Sequence, residues 1–289
     1  MDWALLAECM AMTVGGGLFL YLGPSYLIEW AYYRRRAETA SDWKTQPDRE
    51  SPKRLRREEI RLGVLNMTWA SVVSGLIMYH IRTGGWSLLY FDVDRYGWAY
   101  TVASTVFYFV LVDCLLYWGH RALHIRPLYR SIHRIHHRWR TPSPFTSLAV
   151  HPVELGTFQF FSLIPMFLFP LHPAGVILIL IYQQVVSVLD HSGVRFHSIF
   201  PWQAPAAFHD DHHIYFHVNF TQNMHLWDWI FGSWRREEEA YGEDRFLVDQ
   251  EHASPRMDYS RAAVAARAYA RLERRRKKRS AQPAQDVKG

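Results

Sequence analysis

Three short histidine motifs constrain this chain more than any other feature of its sequence. The first is His120-x-x-x-His124, and the second and third repeat the pattern His-x-x-His-His at residues 133–137 and 209–213. On an α-helix, residues three and four positions apart lie on one face. If these stretches are helical, the fold must bring three histidine faces together. The histidines concerned are His120, His124, His133, His136, His137, His209, His212 and His213.

Imidazoles at this spacing are typical of a metal site. A single zinc ion takes about four ligands, so this many histidines indicate two ions. Nitrogen ligands suit iron, copper or zinc better than magnesium or calcium. The alternative is that the histidines are polar residues at a membrane surface, which their repeated spacing disfavours. Cys9 and Cys114 both lie in apolar runs, so the sequence predicts neither a disulfide framework nor a cysteine-based metal site.

Long apolar segments separate the histidine motifs. A helix needs about 20 predominantly apolar residues to cross a bilayer. We therefore predict an all-α, polytopic membrane bundle of about four to five spanning helices, capped by a histidine-rich helical di-metal site. Glycines at positions 15–17 leave an interfacial hairpin as the alternative for the first segment. The segments cover residues 5–33, 62–81, 100–118, 155–171 and 174–189.

The sequence also predicts on which side the histidines lie. The last two segments form a hairpin that turns at His172, so an even number of crossings separates His137 from His209. All three motifs then lie on one side of the membrane. Short loops rich in Lys and Arg stay cytoplasmic, and residues 34–61 form such a loop. We therefore predict a cytoplasmic histidine site, in either a bacterial inner membrane or the endoplasmic reticulum.

These features divide the chain into four predicted parts. Residues 1–33 form an N-terminal membrane segment, 34–61 the basic cytoplasmic loop, 62–235 the membrane domain with every histidine motif, and 236–289 a polar, basic cytoplasmic tail. The run of Arg and Lys at residues 274–279 is typical of segments that bind anionic lipid. Such runs also bind nucleic acid, which we do not expect of a chain that lies mostly in lipid.

Two further residues are candidates for the same site. His191 follows directly on the last apolar segment, on the cytoplasmic side, and is the natural ninth ligand. Asp113 lies two helical turns before His120, where a carboxylate in the membrane is costly without a partner. We predict that Asp113 orients a ligand imidazole, and a hydrogen bond between helices is the alternative.

The sequence has no Gly-x-Gly-x-x-Gly fingerprint and no cysteine cluster, so redox chemistry needs electrons from outside.

The motifs and their flanking residues resemble the fatty acid hydroxylase/sterol desaturase superfamily of membrane di-iron enzymes. The resemblance covers residues 113–235. Within the superfamily the chain is most similar to the sterol C5-desaturases (lathosterol oxidases), whose third histidine box resembles the stretch from His212 through Asn219 to Asp228. Arg195 stands where fatty acid hydroxylases carry a further histidine. The other matching motifs are Tyr117-Trp118-Gly119-His120-Arg121, His133-x-x-His136-His137, Pro142-x-Pro144-Phe145, His151-Pro152-x-Glu154 and His209-x-x-His212-His213.

The resemblance implies a membrane non-haem di-iron oxidoreductase of lipid biosynthesis, with two iron ions as cofactor and O2 as co-substrate. The implied reaction is the introduction of a C5–C6 double bond into a sterol, with electrons from cytochrome b5 or a ferredoxin-type carrier. The resemblance also places His151, Glu154 and Asn219 beside the ligands, although His151 and Glu154 could instead cap a loop. Two other functions stay open: hydroxylation of another apolar lipid (a sterol methyl group, fatty acyl chain or carotenoid), and a non-catalytic zinc-binding membrane protein.

Overall fold

The computed structural model describes residues 1–235 except residues 48 and 50, so the predicted tail at 236–289 lies outside the described residues. Within them, β pairing is limited to three isolated bridges, and short 3-10 or π-helical turns connect several α-helices. The α-helices are α1 (Trp3–Ile28), α2 (Ala40–Trp43), α3 (Lys53–Arg82), α4 (Gly97–Leu123), α5 (Arg126–Ser131), α6 (Pro152–Leu163), α7 (Pro165–Leu168), α8 (Pro173–Asp190), α9 (Ala206–Tyr215) and α10 (Leu226–Ile230).

Four helices of the described chain are long and apolar enough to cross a membrane: α1 with the π-helical turn that follows it (Trp3–Arg34), α3, α4 and α8. The shortest of them, α8, extends about 27 Å at 1.5 Å per residue, close to the ~30 Å hydrocarbon core of a bilayer. Large apolar side chains on these helices are exposed, among them Phe19, Val102 and Leu178. The chain is an integral membrane protein, and the predicted all-α polytopic fold is confirmed.

The segment predicted to span at residues 155–171 is not one long helix. It forms α6 and α7, which are separated at Ile164 because Pro165 has no N–H to donate and its ring disturbs the preceding turn. With 12 residues, α6 alone is too short to cross. The pair nevertheless reaches the far end of the bundle, where the Tyr90 N–H donates to the Leu171 carbonyl. In the described chain, an interrupted segment thus accompanies the four long helices.

The helices bring the histidine motifs to one end of the bundle. At the opposite end, the His172 ring packs against Tyr90 and caps α8 by accepting the Ala174 N–H. From there α4 and α8 run to the histidine end, where His120 lies in the last turn of α4. The rings of His120 and His209 lie 6.1 Å apart. The prediction that all three motifs lie together is confirmed.

Residues 142–150 form a buried segment that is irregular apart from one 3-10 turn. Its carbonyls cannot reach water and therefore need donors from elsewhere in the fold. The Tyr21 hydroxyl in α1 donates to the Phe145 carbonyl at 2.8 Å, and the Asn66 amide in α3 donates to two further carbonyls at 2.8 Å each. The buried Glu59 carboxylate in α3 accepts from two hydroxyls of the segment. The first two spanning helices thus hold the chain between the second histidine motif and α6.

The prediction of a basic loop over residues 34–61 is partly wrong. Its second half is helical, because α3 begins at Lys53 and charge pairs such as the (i, i+4) pair in its first turns stabilise it. In the first half, Trp43 is buried. The Thr45 N–H donates to the Gly193 carbonyl at 2.9 Å, which joins this stretch to the chain after α8. The loop therefore covers the histidine end of the bundle.

This arrangement predicts that Arg95 and Arg134 lie on opposite sides of the membrane. We expect Arg95→Cys and Arg134→Cys, each made in a background without Cys9 and Cys114, to react with an impermeant maleimide from opposite sides of sealed vesicles. Both native arginines are exposed, so the labels have access. Labelling of both variants from one side would contradict the described topology.

Candidate metal centre

Nine imidazoles converge at the histidine end of the bundle in two adjoining groups. In each group, one ligand atom of every residue lies within 4.8 Å of those of the others. Every histidine predicted as a ligand belongs to one of the groups, including His191. The first group is His120, His124, His133, His137 and His212, and the second is His136, His191, His209 and His213.

The two later motifs each contribute to both groups, which differs from the single face expected of each motif. His209 and His213 point to the second group, whereas His212 points to the first. On an α-helix the i+3 and i+4 residues fall on opposite sides of residue i, because each residue advances the helix by 100°. Residues His133–Arg138 divide in the same way but form a 3-10 turn after α5, so this motif does not lie on an α-helix.

Oxygen atoms fix the direction of four of these rings. Each is paired with a histidine Nδ1. A carbonyl can only accept, so at three rings Nδ1 carries the proton and Nε2 presents its lone pair to the group, and His133 does the same when Glu154 is ionised. Three acceptors are backbone carbonyls and one is a carboxylate. The pairs are His120 with the Phe220 carbonyl (2.6 Å), His191 with Ser187 (2.7 Å), His212 with Val218 (2.7 Å), and His133 with Glu154 Oε1 (2.8 Å).

One pair of Nε2 atoms lies closer together than two acceptor nitrogens tolerate alone. With Glu154 ionised, His120 and His133 both use Nδ1 as a donor, so across 3.1 Å their Nε2 lone pairs face each other and neither has a proton to share. A cation between them removes this conflict. Two neighbouring nitrogens, each ~2.1 Å from an octahedral ion, lie about 3.0 Å apart. Four other pairs lie at 2.9–3.2 Å: His133–His137, His136–His191, His191–His209 and His137–His212.

Burial keeps these imidazoles neutral. Desolvation lowers the pKa of His133 to about 3 and the pKa of His191 to about 4, because a charged ring is disfavoured away from water. Desolvation also lowers the pKa of His209, His212 and His213, and the neighbouring imidazoles lower it further. The rings are therefore unprotonated at physiological pH, which is the form that binds metals.

Some buried ring nitrogens have no hydrogen-bond partner in the described chain. Both nitrogens of His124 and both of His213 are in this state. An unpaired polar atom away from water costs about 1–3 kcal/mol, and a metal bond at one nitrogen of each ring offsets that cost. The residues present therefore fit a metal site.

Asp113 does not orient an imidazole, which corrects the sequence-based prediction. Its carboxylate accepts from the Asn223 amide at 2.9 Å, the Met224 N–H at 3.1 Å and the Trp227 indole N–H at 2.8 Å. Two turns of helix separate it from His120 by ~10 Å, too far for direct contact. Asp113 instead fixes the loop before α10, and the first turn of α10, against α4. This resembles the alternative role named above, a hydrogen bond between helices.

The other predicted neighbours have different positions. Glu154 contacts His133 directly, as described above, and is buried. His151 accepts the Val153 N–H and caps α6, which matches the loop-capping alternative. Asn219 has a positive φ of 57° and donates its amide to a carbonyl of α9. It therefore shapes the loop that provides carbonyls to the imidazoles.

Asp228 is a positioning residue that the histidine spacing could not reveal. It is fully buried and accepts from the N–H groups of Phe220 and Thr221 at 2.9 Å each. These bonds hold the loop whose Phe220 carbonyl orients His120. Asp228 belongs to the last stretch that carries the family resemblance, and that is its sequence signal.

Gln46 links two histidine motifs and has no sequence signal, because its partners lie far along the chain. Its amide nitrogen donates to the Arg140 carbonyl at 2.7 Å and to the Asp210 carboxylate at 3.0 Å. The side chains of Gln46 and Asp210 are both buried. Burial raises the pKa of Asp210 to about 6, so the carboxyl is mainly ionised at pH 7 and needs a donor.

Comparison with known proteins shows which family the stretch with the metal centre resembles. Residues 105–233 match the family model described as Fatty acid hydroxylase. That range contains all nine histidines and both Glu154 and Asp228. Residues 105–233 are therefore similar to a fatty acid hydroxylase domain, and the family resemblance predicted from the histidine motifs is confirmed.

Three individual relatives are similar to this chain over part of its length. The chain is similar to lathosterol oxidase of Rattus norvegicus, with 36% identity over 61% of this chain and 60% of the relative. It is also similar to Delta(7)-sterol 5(6)-desaturase of Candida glabrata, with 33% identity over 69% of this chain and 56% of the relative. The corresponding Saccharomyces cerevisiae protein is 32% identical over 63% and 50%. The matches thus span about half to three-fifths of these relatives, and no solved structure matches.

Removing the carboxylate behind His133 should weaken metal binding. We expect Glu154→Ala to lower metal affinity about 10- to 100-fold, because the His133 ring loses the acceptor that fixes its tautomer and direction. Glu154→Gln keeps an acceptor oxygen and should lose less. Metal retained during titration with a chelator measures both. Wild-type retention by Glu154→Ala would contradict this role.

The bridge made by Gln46 should contribute to stability. Gln46→Leu removes the amide donor from the Arg140 carbonyl and from Asp210, and we expect a loss of about 1–3 kcal/mol in the free energy of unfolding. Asp210→Asn retains an acceptor oxygen for Gln46 and serves as the matched control. Chemical unfolding in detergent measures both variants, and a larger loss in the control would argue against the bridge.

Proposed function

We propose that this protein is a membrane non-haem di-iron oxidoreductase that uses O2 to oxidise an apolar lipid, and that it introduces the C5–C6 double bond of a sterol. The observation that carries the proposal is the convergence of nine neutral imidazoles, eight of them in buried residues, with Nε2 atoms at the spacing of ligands on shared ions. The similarity to a fatty acid hydroxylase domain supports the reaction class. The names of the relatives support the sterol.

Iron is the metal that we propose for both groups. The nine histidines of the two groups are the proposed ligands, five for one ion and four for the other. Zinc in proteins is almost always four-coordinate, so a group of five nitrogens suits iron better. Bound iron would supply the activation of O2. The protein's residues hold the ions, keep the imidazoles unprotonated and exclude water by burial.

The proposed reaction needs electrons that the substrate alone does not supply. Removing two hydrogens from adjacent carbons while reducing one O2 to two waters consumes two protons and two additional electrons. The sequence has neither a dinucleotide fingerprint nor a cysteine cluster. We therefore propose an external one-electron carrier of the cytochrome b5 or ferredoxin type.

We further propose that the histidine end faces the cytoplasm, because the loop that covers it is rich in Arg and Lys. Residues 62–235 would then form the oxidase domain, with residues 1–33 as an N-terminal membrane segment and 236–289 as a cytoplasmic tail. The contacts of α1 and α3 with residues 142–150 join the N-terminal membrane segment to this domain.

The runner-up function is hydroxylation of another apolar lipid. The description of the matching family favours it, and the same metal centre serves both reactions. The difference lies in whether a second hydrogen leaves or oxygen is inserted, which depends on how the second C–H bond is placed.

Product analysis tests the proposal. The purified protein is reconstituted with iron and a reductant and given Δ7-sterols, other sterols and fatty acyl lipids. Mass spectrometry then gives the molecular masses of the products. Loss of two hydrogens from a Δ7-sterol supports the desaturase, and gain of one oxygen on any lipid supports the hydroxylase. Stoichiometric zinc without O2 uptake would instead indicate a non-catalytic metal-binding protein.

Substitution of one ligand compared with a distant histidine provides a second test. We expect His136→Ala to abolish turnover and lower the iron content, because the second group loses one of its four imidazoles. His172→Ala removes a helix cap and a ring contact with Tyr90 at the far end of the bundle, and loss of the cap has an expected cost of about 0.5–2 kcal/mol in stability. Iron content and O2 uptake measure both. Equal damage from the two substitutions would argue against the proposed ligand set.

A further inference from the structure

Exposed basic side chains cluster at the histidine end of the bundle. We call this cluster the basic surface, and it consists of Lys53, Arg54, Arg57, Arg134 and Arg138, all of which are exposed. Its two halves are joined by Glu58, which binds Arg54 at 3.0 Å and Arg138 at 2.6 Å. With this one carboxylate against five basic groups, the basic surface carries a net positive charge.

The basic surface lies directly outside the metal centre. In the turn His133–Arg138 the three histidines are buried, whereas Arg134 and Arg138 are exposed on the other side. A single turn of polypeptide therefore separates these guanidinium groups from the imidazoles. In the described part of the chain, the turn His133–Arg138 is therefore a short covalent route from an exposed charged surface to the ligands.

The basic surface also points away from the lipid-facing sides of the bundle. The turn crosses the ends of two spanning helices, since His133 contacts His120 at the end of α4 and His136 contacts His191 after α8. Its outer face therefore looks along the bundle axis into water. This position suits a protein partner better than lipid headgroups, which surround the bundle laterally.

We propose that the basic surface docks the acidic face of a one-electron carrier protein, which reduces the metal centre through the turn His133–Arg138. The proposal rests on the proposed function, because only a redox centre needs such a partner. Two reduced carriers each lose one electron per O2 consumed. Complementary charge accelerates the encounter of two proteins and makes its rate depend on ionic strength.

Charge reversal at Arg134 tests the docking. Stopped-flow reduction of the full-length iron-loaded protein is followed with two carriers: the haem domain of a cytochrome b5 and a plant-type [2Fe–2S] ferredoxin. We expect Arg134→Glu to lower the second-order rate constant about tenfold at low salt with at least one carrier, and to flatten its dependence on ionic strength. Arg134→Lys should keep most of the rate. Arg95→Glu, at the opposite end of the bundle, should keep all of it.

A single-turnover measurement separates docking from catalysis. The protein is fully reduced with dithionite, freed of reductant and mixed with O2 and lipid, so no carrier is needed. Wild type and Arg134→Glu should then form equal amounts of product. Suppose that pre-reduced wild type forms product, but the carrier reduces Arg134→Glu and Arg95→Glu at the same rate. The docking proposal then fails, and the proposed function stands. If pre-reduced wild type oxidises no lipid, the proposed function fails first.

Two further outcomes would also overturn the docking proposal. An equal loss of product in the pre-reduced Arg134→Glu protein would mean that Arg134 supports the site structurally. A loss of carrier-driven rate that appears in vesicles of anionic phosphatidylglycerol but not in neutral detergent would assign the basic surface to lipid headgroups.

Discussion

The mutual approach of buried neutral imidazoles is the constraint on which the rest of the structure depends. With Glu154 ionised, the Nε2 atoms of His120 and His133 face each other at 3.1 Å while each ring has its only proton on the far nitrogen. Such an arrangement is unfavourable unless a cation lies between the lone pairs, and the fold must hold the rings in place against their repulsion. Burial adds to the constraint, because it prevents the rings from relieving the conflict by protonation.

The surrounding structure supplies what this constraint requires. Backbone carbonyls orient three of the rings: Ser187 in the last turn of α8 orients His191, and the loop after α9 orients His120 and His212. That loop must itself be rigid. Asp228 holds the loop that presents the Phe220 carbonyl, and Asp113 fixes the neighbouring stretch to α4. Tyr21, Glu59 and Asn66, all outside the matched family domain, hold residues 142–150. The metal centre is therefore a property of the whole helical bundle.

Where prediction from sequence failed, the cause was a local expectation overruled by tertiary packing. Asp113 shares a helix face with His120, but the distance along the helix and the donors of a distant loop gave it another role. The apolar segment at residues 155–171 was read from hydropathy, which does not register that Pro165 divides it into α6 and α7. Gln46 escaped notice because the contact with Asp210 joins residues 164 positions apart, and no local pattern records such a separation.

The sequence by itself determined the class of fold, the side-chain chemistry of the site and the identity of the nine converging histidines. Those features follow from apolar segment length and from histidine spacing, which are local and periodic. Only the tertiary structure decided how the imidazoles divide into five and four, which oxygen orients each ring, and which arginines face outward above the centre. These depend on contacts between segments distant in the chain, since a ring direction is set by the acceptor that the fold places behind it.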